Sequence, residues 1–297
     1  MLKRRTDLAM EEKELYEGAG LLSGVKSQDR EREGYPVNVV DILDATGSLA
    51  LHKPVGKYVT LTLDGLKRRE PDAFGRAVRA LAAELEALLG LPESASVLVV
   101  GLGNRAVTPD AVGPLATGHT LVTRHLVESL PEQFGSFRPV ASIATGVLGT
   151  TGMESGEIVA SLCHSLKPDA VVAIDALASR NLGRVCSTIQ LSNTGIVPGS
   201  GVGNARAALD EKTLGVPVVA VGVPTVVDGA TLAADILAEA GKGELEPEAL
   251  QGHDGGIFVT PRDIDERVAD LSRVIGYGLT LALQPGLTME DVEMFLS

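Results

Sequence analysis

Two aspartates stand where chemistry is most easily done. Asp110 lies in Thr108-Pro109-Asp110-Ala111-Val112-Gly113-Pro114, a short way past the apolar run Val97-Leu98-Val99-Val100-Gly101. Asp175 closes a second such run, Ala170-Val171-Val172-Ala173-Ile174, and Ala176-Leu177-Ala178 follows it. A carboxylate flanked by apolar residues must find partners or keep its proton, because burying an unpaired charge is expensive. Two carboxyl groups at one crevice can share a proton and activate a water. The same pair could also hold a divalent metal. Thr108 suits an N-cap and Pro109 a first helical position, so the helix dipole favours an ionised Asp110 as the base. Asp175, in apolar surroundings, is expected to hold its proton more readily. Each also has a structural reading. Asp110 could simply stabilise a helix start, and Asp175 could pair with a backbone turn or with Arg180.

Other constellations are weaker. Gly101-Leu102-Gly103-Asn104-Arg105-Ala106 matches the loose dinucleotide fingerprint, but a helix should begin at once and an acid should end the next strand. That strand ends Ala144-Thr145-Gly146 instead. The loop Pro198-Gly199-Ser200-Gly201-Val202-Gly203-Asn204 could offer backbone N–H groups to a peptide carbonyl or an anion. Asn104 and, from this loop, Gly199, Ser200 and Gly201 are the candidate substrate contacts. Ser200 is disfavoured as a nucleophile, since Pro198 stands where G-x-S-x-G needs its first glycine. Asp228 reads as a helix N-cap. His119 and His125 are six apart, which excludes the H-E-x-x-H zinc arrangement. Cys163 and Cys186 make no disulfide framework and point to a reducing compartment. No metal site and no cofactor are assigned.

These residues need a scaffold. Short, fully apolar strands alternating with helical stretches predict a parallel sheet covered on both faces, with ligands at the carboxyl ends of its strands. Strands are expected at Val97–Gly101, Val140–Ala144, Ala170–Asp175, Thr188–Leu191 and Val216–Gly222. Helices are expected at Pro71–Leu89, Pro109 to about Leu130, Glu154–Leu166, Ala230–Ala240 and Pro261–Leu283. The fold class is α/β: a three-layer parallel or mixed sheet flanked by helices, hydrolase-like. Val37–Leu43 and Lys57–Leu63 add a small N-terminal antiparallel β layer. Residues 1–34 read as a mobile segment with a helical stretch from Asp7 to Glu17.

The 297 residues suffice for a sizeable core, and 44% hydrophobic residues exclude global disorder. A net charge of −13 argues against a nucleic-acid surface, and 3% aromatics argue against base stacking. Thr6 to Glu12 carry no apolar signal core after Lys3-Arg4-Arg5. Pro217 and Pro224 break the longest apolar stretch, so neither secretion nor membrane insertion is expected.

The same residues resemble the germination proteases of spore-forming bacteria. The matching stretches are Leu98–Asn104, Val107–Ala111 with Gly113-Pro114, Gly146–Gly149 with Thr151-Gly152, Ala173–Ala178, Pro198–Asn204 and Pro224–Asp228. Arg5–Ala9, Tyr58–Leu61 and Val259–Pro261 extend the match almost end to end. The resemblance implies an endopeptidase that begins the degradation of small acid-soluble spore proteins at germination. It implies an autoprocessed zymogen, a homotetramer, residence in the cytoplasm of the forespore or spore core, and catalysis by an aspartate pair, which falls on Asp110 and Asp175. Thr6-Asp7-Leu8-Ala9 resembles the self-processing site. Residues 1–7 are then a propeptide, cut between Asp7 and Leu8, and residues 8–297 one peptidase domain. Asp7 also reads as an N-cap of the first helix. The chain departs from the family in its short stretch from Gly241 to Gly256 and its short propeptide. Hydrogenase maturation proteases are more distantly similar, and their corresponding acids bind nickel. The rival readings are a metal-dependent peptidase using the same acids and a non-catalytic nucleotide-binding spore protein.

Overall fold

In a computed structural model of the chain, residues 6–17, 22–199, 206–241 and 256–296 are described. The apolar runs become the inner strands of one sheet. β4 (Val97–Leu102), β6 (Ala170–Ser179) and β8 (Val218–Asp228) are buried almost throughout. They run parallel with β5 (Val140–Gly146). β1 (Val25–Arg32), β2 (Tyr35–Ile42) and β3 (Gly56–Thr62) are antiparallel, and β3 pairs with β7 (Thr188–Ser192). The order is β1-β2-β3-β7-β8-β6-β4-β5, with β9 (Phe258–Val259) added antiparallel to β8. The N-terminal strands thus continue the main sheet across β7.

Strand alternation sorts side chains to two faces. Val97, Val99, Val172, Ile174, Val219 and Val221 pack under α2 (Ala73–Leu89), α3 (Val112–Gly118) and α6 (Ile264–Leu283). Leu98, Val100, Val171, Ala173 and Val218 pack on the other face, against Val159 and Cys163 of α4 (Ser155–Leu166). A third, smaller cluster joins Val40, Ile42, Leu51 and Tyr58 to Ala9 of α1 (Ala9–Glu17). α5 (Gly229–Glu239) follows β8 directly, and Asp228 caps it by accepting the Thr231 N–H at 2.9 Å.

Three expectations need correction. Residues 1–34 are not a loose segment over their described part. Leu8 and Ala9 are fully buried, and β1 is an ordered edge strand. Its sequence VKSQDRER hides this because edge strands carry charge. Arg30 and Arg32 reach the buried carboxylate of Glu84 on α2. The helix expected from Pro109 to Leu130 is broken. A 3₁₀ turn covers Thr108–Asp110, α3 stops at Gly118, and a separate helix spans Arg124–Ser129. Between them the Leu121 N–H donates to Thr280 Oγ1 and the Thr123 N–H to the Val140 carbonyl, replacing helical bonds with tertiary ones. Finally, β6 and β8 outrun their apolar cores. Asp175 therefore lies inside β6, not at its end. Pro224 sits inside β8 where the β6–β8 register slips, the place a sheet tolerates proline.

Candidate active site

The ladder explains how Asp175 can be buried and still reach a site. The last β6 residue paired to β4 is Ile174, opposite Gly101. Beyond it β6 continues without β4 on that side, and Asp175 is its first residue there. Alternation turns the Asp175 side chain to the α4 face. The space past the end of β4 is taken by the turn that carries Asp110. Gly103 turns the chain with φ +108°, and its missing Cβ would come within 2.2 Å of the Asp110 carbonyl. Asp110 Oδ2 accepts the Asn104 N–H at 2.7 Å. α3 then seats on the sheet through Gly113, where a Cβ would meet the Leu102 and Ile174 carbonyls at 2.3 and 2.6 Å. Glycines at 103 and 113 thereby let the Asp110 turn and the helix after it pack closely on the sheet beside β6.

The charge of Asp110 acts on the Asp175 carboxyl. Asp175 is 5% exposed and accepts the Ala176 N–H at 2.9 Å. Burial, and next the charge of Asp110, push its pKa well above the carboxylate range; the Ala176 N–H acts against this. Asp110 is also raised, first by burial, with the Asn104 N–H and the Arg206 charge pulling it down. Arg206 is held by Glu154 at 3.0 Å and lowers both acids. Burial thus raises both carboxyls, Asp110 as well as Asp175. Asp110 rests on a 3₁₀ turn and one N–H rather than on the start of a long helix. Arg180 does not partner Asp175; it pairs with Asp235 at 2.8 Å.

A cleft of about 420 Å³ opens on the same face. Its lining includes Gly222, which stands opposite Asp175 on one side and Gln190 on the other. Asp175, Gly222 and Gln190 thus form one row across three strands, spanning roughly 10 Å at about 4.8 Å per strand. Thr6 and Asp7 line this cleft. The Asp7 N–H donates to the Ala178 carbonyl at 2.9 Å, and Asp7 Oδ2 accepts the Ala178 N–H at 2.8 Å. The Asp7 carbonyl accepts Lys53 Nζ at 2.8 Å and Gln190 Nε2 at 3.1 Å. Gln190 Oε1 takes the Ala9 N–H at 2.7 Å. Burial lowers the Lys53 pKa, and the Asp7, Glu12 and Glu11 charges oppose this.

Of the residues singled out by sequence, Asp7 bonds β6 at Ala178, the charges of Asp110 and Asp7 act on Asp175, and Leu8 is fully buried. Asn104 contributes its backbone N–H to Asp110, while its side chain accepts the Ala106 N–H at 3.0 Å. Gly199 has φ +74° and ends the described stretch; Ser200 and Gly201 lie outside the described residues. Among the described residues no three His, Cys, Asp or Glu side chains form a group that could hold a metal ion. Sequence reasoning missed Lys53, Gln190, Arg206 and Glu11. Gln190 left a signal, a polar residue inside the buried run Thr188-Ile189-Gln190-Leu191-Ser192.

Fold and site define an α/β protein with two carboxyl groups near a cleft that its own N-terminal residues help to line. Residues 4–239 match the family model described as germination protease, and the chain belongs to that family. It is 44% identical to the germination protease of Clostridium perfringens (strain SM101 / Type A) over 325 aligned positions, covering 100% of both chains. It is 44% identical to that of Caldanaerobacter subterraneus subsp. tengcongensis over 317 positions, covering 98% of each. Among solved structures, a NiFe hydrogenase maturation protease from Thermococcus kodakarensis KOD1 aligns with TM-score 0.36 and 17% identity, over 66% of this chain and 98% of that one. Membership in the family makes the chain a peptidase of spore germination. Among the described residues no helix is long and apolar enough to cross a membrane.

Proposed function

We propose that this chain is an endopeptidase that begins the breakdown of small acid-soluble spore proteins in the germinating spore. It is made as a zymogen, assembles as a homotetramer, and becomes active when residues 1–7 are removed between Asp7 and Leu8. One arrangement carries the chemistry: Asp175 is buried where β6 runs past its pairing with β4, and burial first and the Asp110 charge second raise its carboxyl, which suits the two acids to sharing one proton. A water between the two attacks the scissile carbonyl. Asp110, ionised, takes the water's proton, and Asp175, protonated, donates a hydrogen bond to the carbonyl oxygen. The proton on Asp110 then passes to the leaving nitrogen. Arg206 keeps the pair from losing its charge altogether. Asn104 and the loop containing Gly199, Ser200 and Gly201 are proposed to contact the substrate. Lys53, Gln190 and the Ala178 backbone, which hold Asp7 in the unprocessed chain, are the surface that an acidic substrate residue takes over after release.

The test is a digest of an acid-soluble spore protein by the processed chain, with the cut site read by mass spectrometry. Cleavage beside an acidic residue that persists after exhaustive chelation is the expected result. Loss of cleavage on chelation, regained with added metal, would favour the metallopeptidase reading. No cleavage at all would overturn the endopeptidase reading.

A further inference from the structure

Glu11 is bonded far more heavily than its place on a short surface helix requires. It is 1% exposed and accepts Ser179 Oγ at 2.8 Å, the Arg180 N–H at 2.7 Å, the Asn181 N–H at 3.1 Å and Arg184 Nη1 at 3.1 Å. These bonds tie α1 to the end of β6, the strand that carries Asp175. A further donor is the Thr6 hydroxyl, which reaches Glu11 Oε2 and accepts the Leu8 N–H at 3.0 Å. Thr6 thus stands as a one-atom bridge between the Leu8 nitrogen and the Glu11 carboxylate. Leu8 is the N-cap of α1, since its carbonyl accepts the Glu11 and Glu12 N–H groups at 3.2 and 3.1 Å. Glu11 is therefore three residues past the cap. From that position a glutamate side chain ordinarily reaches back to the cap's own N–H. Here the Thr6 hydroxyl occupies that place.

We infer that Glu11 is the built-in receptor for a new N-terminus at Leu8, and a positioning residue for the mature site. The inference rests on processing between Asp7 and Leu8. In that step the C–N bond breaks, the water's oxygen joins the Asp7 carbonyl carbon to make a carboxylate, and both of its hydrogens end on the Leu8 nitrogen as an ammonium. Thr6 leaves with residues 1–7. The ammonium takes its place on Glu11 Oε2, exchanging a hydroxyl bond for a charge-assisted one. In the unprocessed chain Leu8 is fully buried, and an ammonium formed at a site shielded from water needs a carboxylate partner. The new ion pair keeps Glu11 seated on Ser179 and Arg180, four and five residues beyond Asp175, once Thr6 has left, and so steadies the strand that presents the catalytic acid.

The test compares a chain made to begin at Leu8, by a fusion cut that leaves no extra residue, with one carrying a single glycine before Leu8. Each is prepared with Glu11 and with Glu11→Gln. With Glu11 present, the added glycine is expected to lower kcat/KM at least about tenfold, the size of one lost hydrogen bond to a charged group. In the Glu11→Gln background the glycine changes nothing. Cyanate labelling of the terminal amine, followed by mass spectrometry, gives a readout independent of activity. The Leu8 amine is expected to react about tenfold slower than the glycine-extended one, and Glu11→Gln removes that protection. Equal labelling rates for the two Glu11 chains, or an activity ratio that survives Glu11→Gln, would overturn the inference. If Glu11→Gln does not fold, the glycine extension alone decides. A chain inactive on every substrate would overturn the protease reading, while the labelling rates still decide this one.

Discussion

Asp175→Asn is expected to abolish cleavage and, at neutral pH, to stabilise the protein. The two effects come from the same burial. A side chain that gives and holds a proton at the reaction centre contributes about 10²–10⁴-fold to rate, so kcat should fall by that amount or more. Stability moves the opposite way. The Asp175 pKa is raised in the folded chain, first by burial and then by Asp110, while the unfolded chain ionises at the ordinary carboxyl value. Its contribution to stability is therefore complete below the unfolded pKa and is lost as pH rises through the folded one. At neutral pH the native state carries that burden, and asparagine removes it while still accepting the Ala176 N–H. Denaturation of wild type and variant between acid and neutral pH should show curves that approach at low pH and separate as pH rises, with the variant the more stable. A variant less stable than wild type at pH 7, or one that still cleaves near the wild-type rate, would contradict this role.

Gly103→Ala is expected to cripple the enzyme without touching either acid. The backbone at residue 103 sits at φ +108°, a region L-residues avoid at a cost of about 1–3 kcal/mol. The new methyl would also lie within 2.2 Å of the Asp110 carbonyl and 2.9 Å of its Oδ1. Backbone cannot yield as a flexible side chain does, so the Asp110 turn must move. A shift near 1 Å costs about 10²-fold in rate where groups must be aligned. Steady-state kinetics and a urea melt should therefore show a large fall in kcat with a modest loss of stability. Wild-type kcat in a folded Gly103→Ala chain would show that Asp110 does not need this geometry.

The distribution of such residues explains what the sequence could say. Both aspartates, the inner strands and the two-faced core were readable because β4, β6 and β8 are buried on both sides and spell themselves as unbroken apolar runs. Asp175 was noticeable as a charge set into one of them. The strand's true end was not readable, because Ala176-Leu177-Ala178-Ser179 continues with no turn signal. β1 was missed because an edge strand satisfies its charges with distant partners, Arg30 and Arg32 with Glu84. The broken helix after Asp110 depends on Thr280 and Val140, more than 15 residues away. Lys53, Gln190 and Glu11 are polar residues whose meaning comes only from what folds against them. The resemblance in Thr6-Asp7-Leu8-Ala9 pointed to processing, but the seat on β6 that holds this stretch is visible only in three dimensions.

The claim on which the chemistry stands is that Asp110 and Asp175 titrate as a coupled pair. Carbon-13 NMR of the aspartate carboxyl groups, followed through a pH titration in wild type and Asp110→Asn, measures that coupling at its source. Asp175 should titrate well above the ordinary carboxyl range in wild type, and its pKa should fall when Asp110 loses its charge. An Asp175 titration unmoved by Asp110→Asn would show two independent acids and contradict the account.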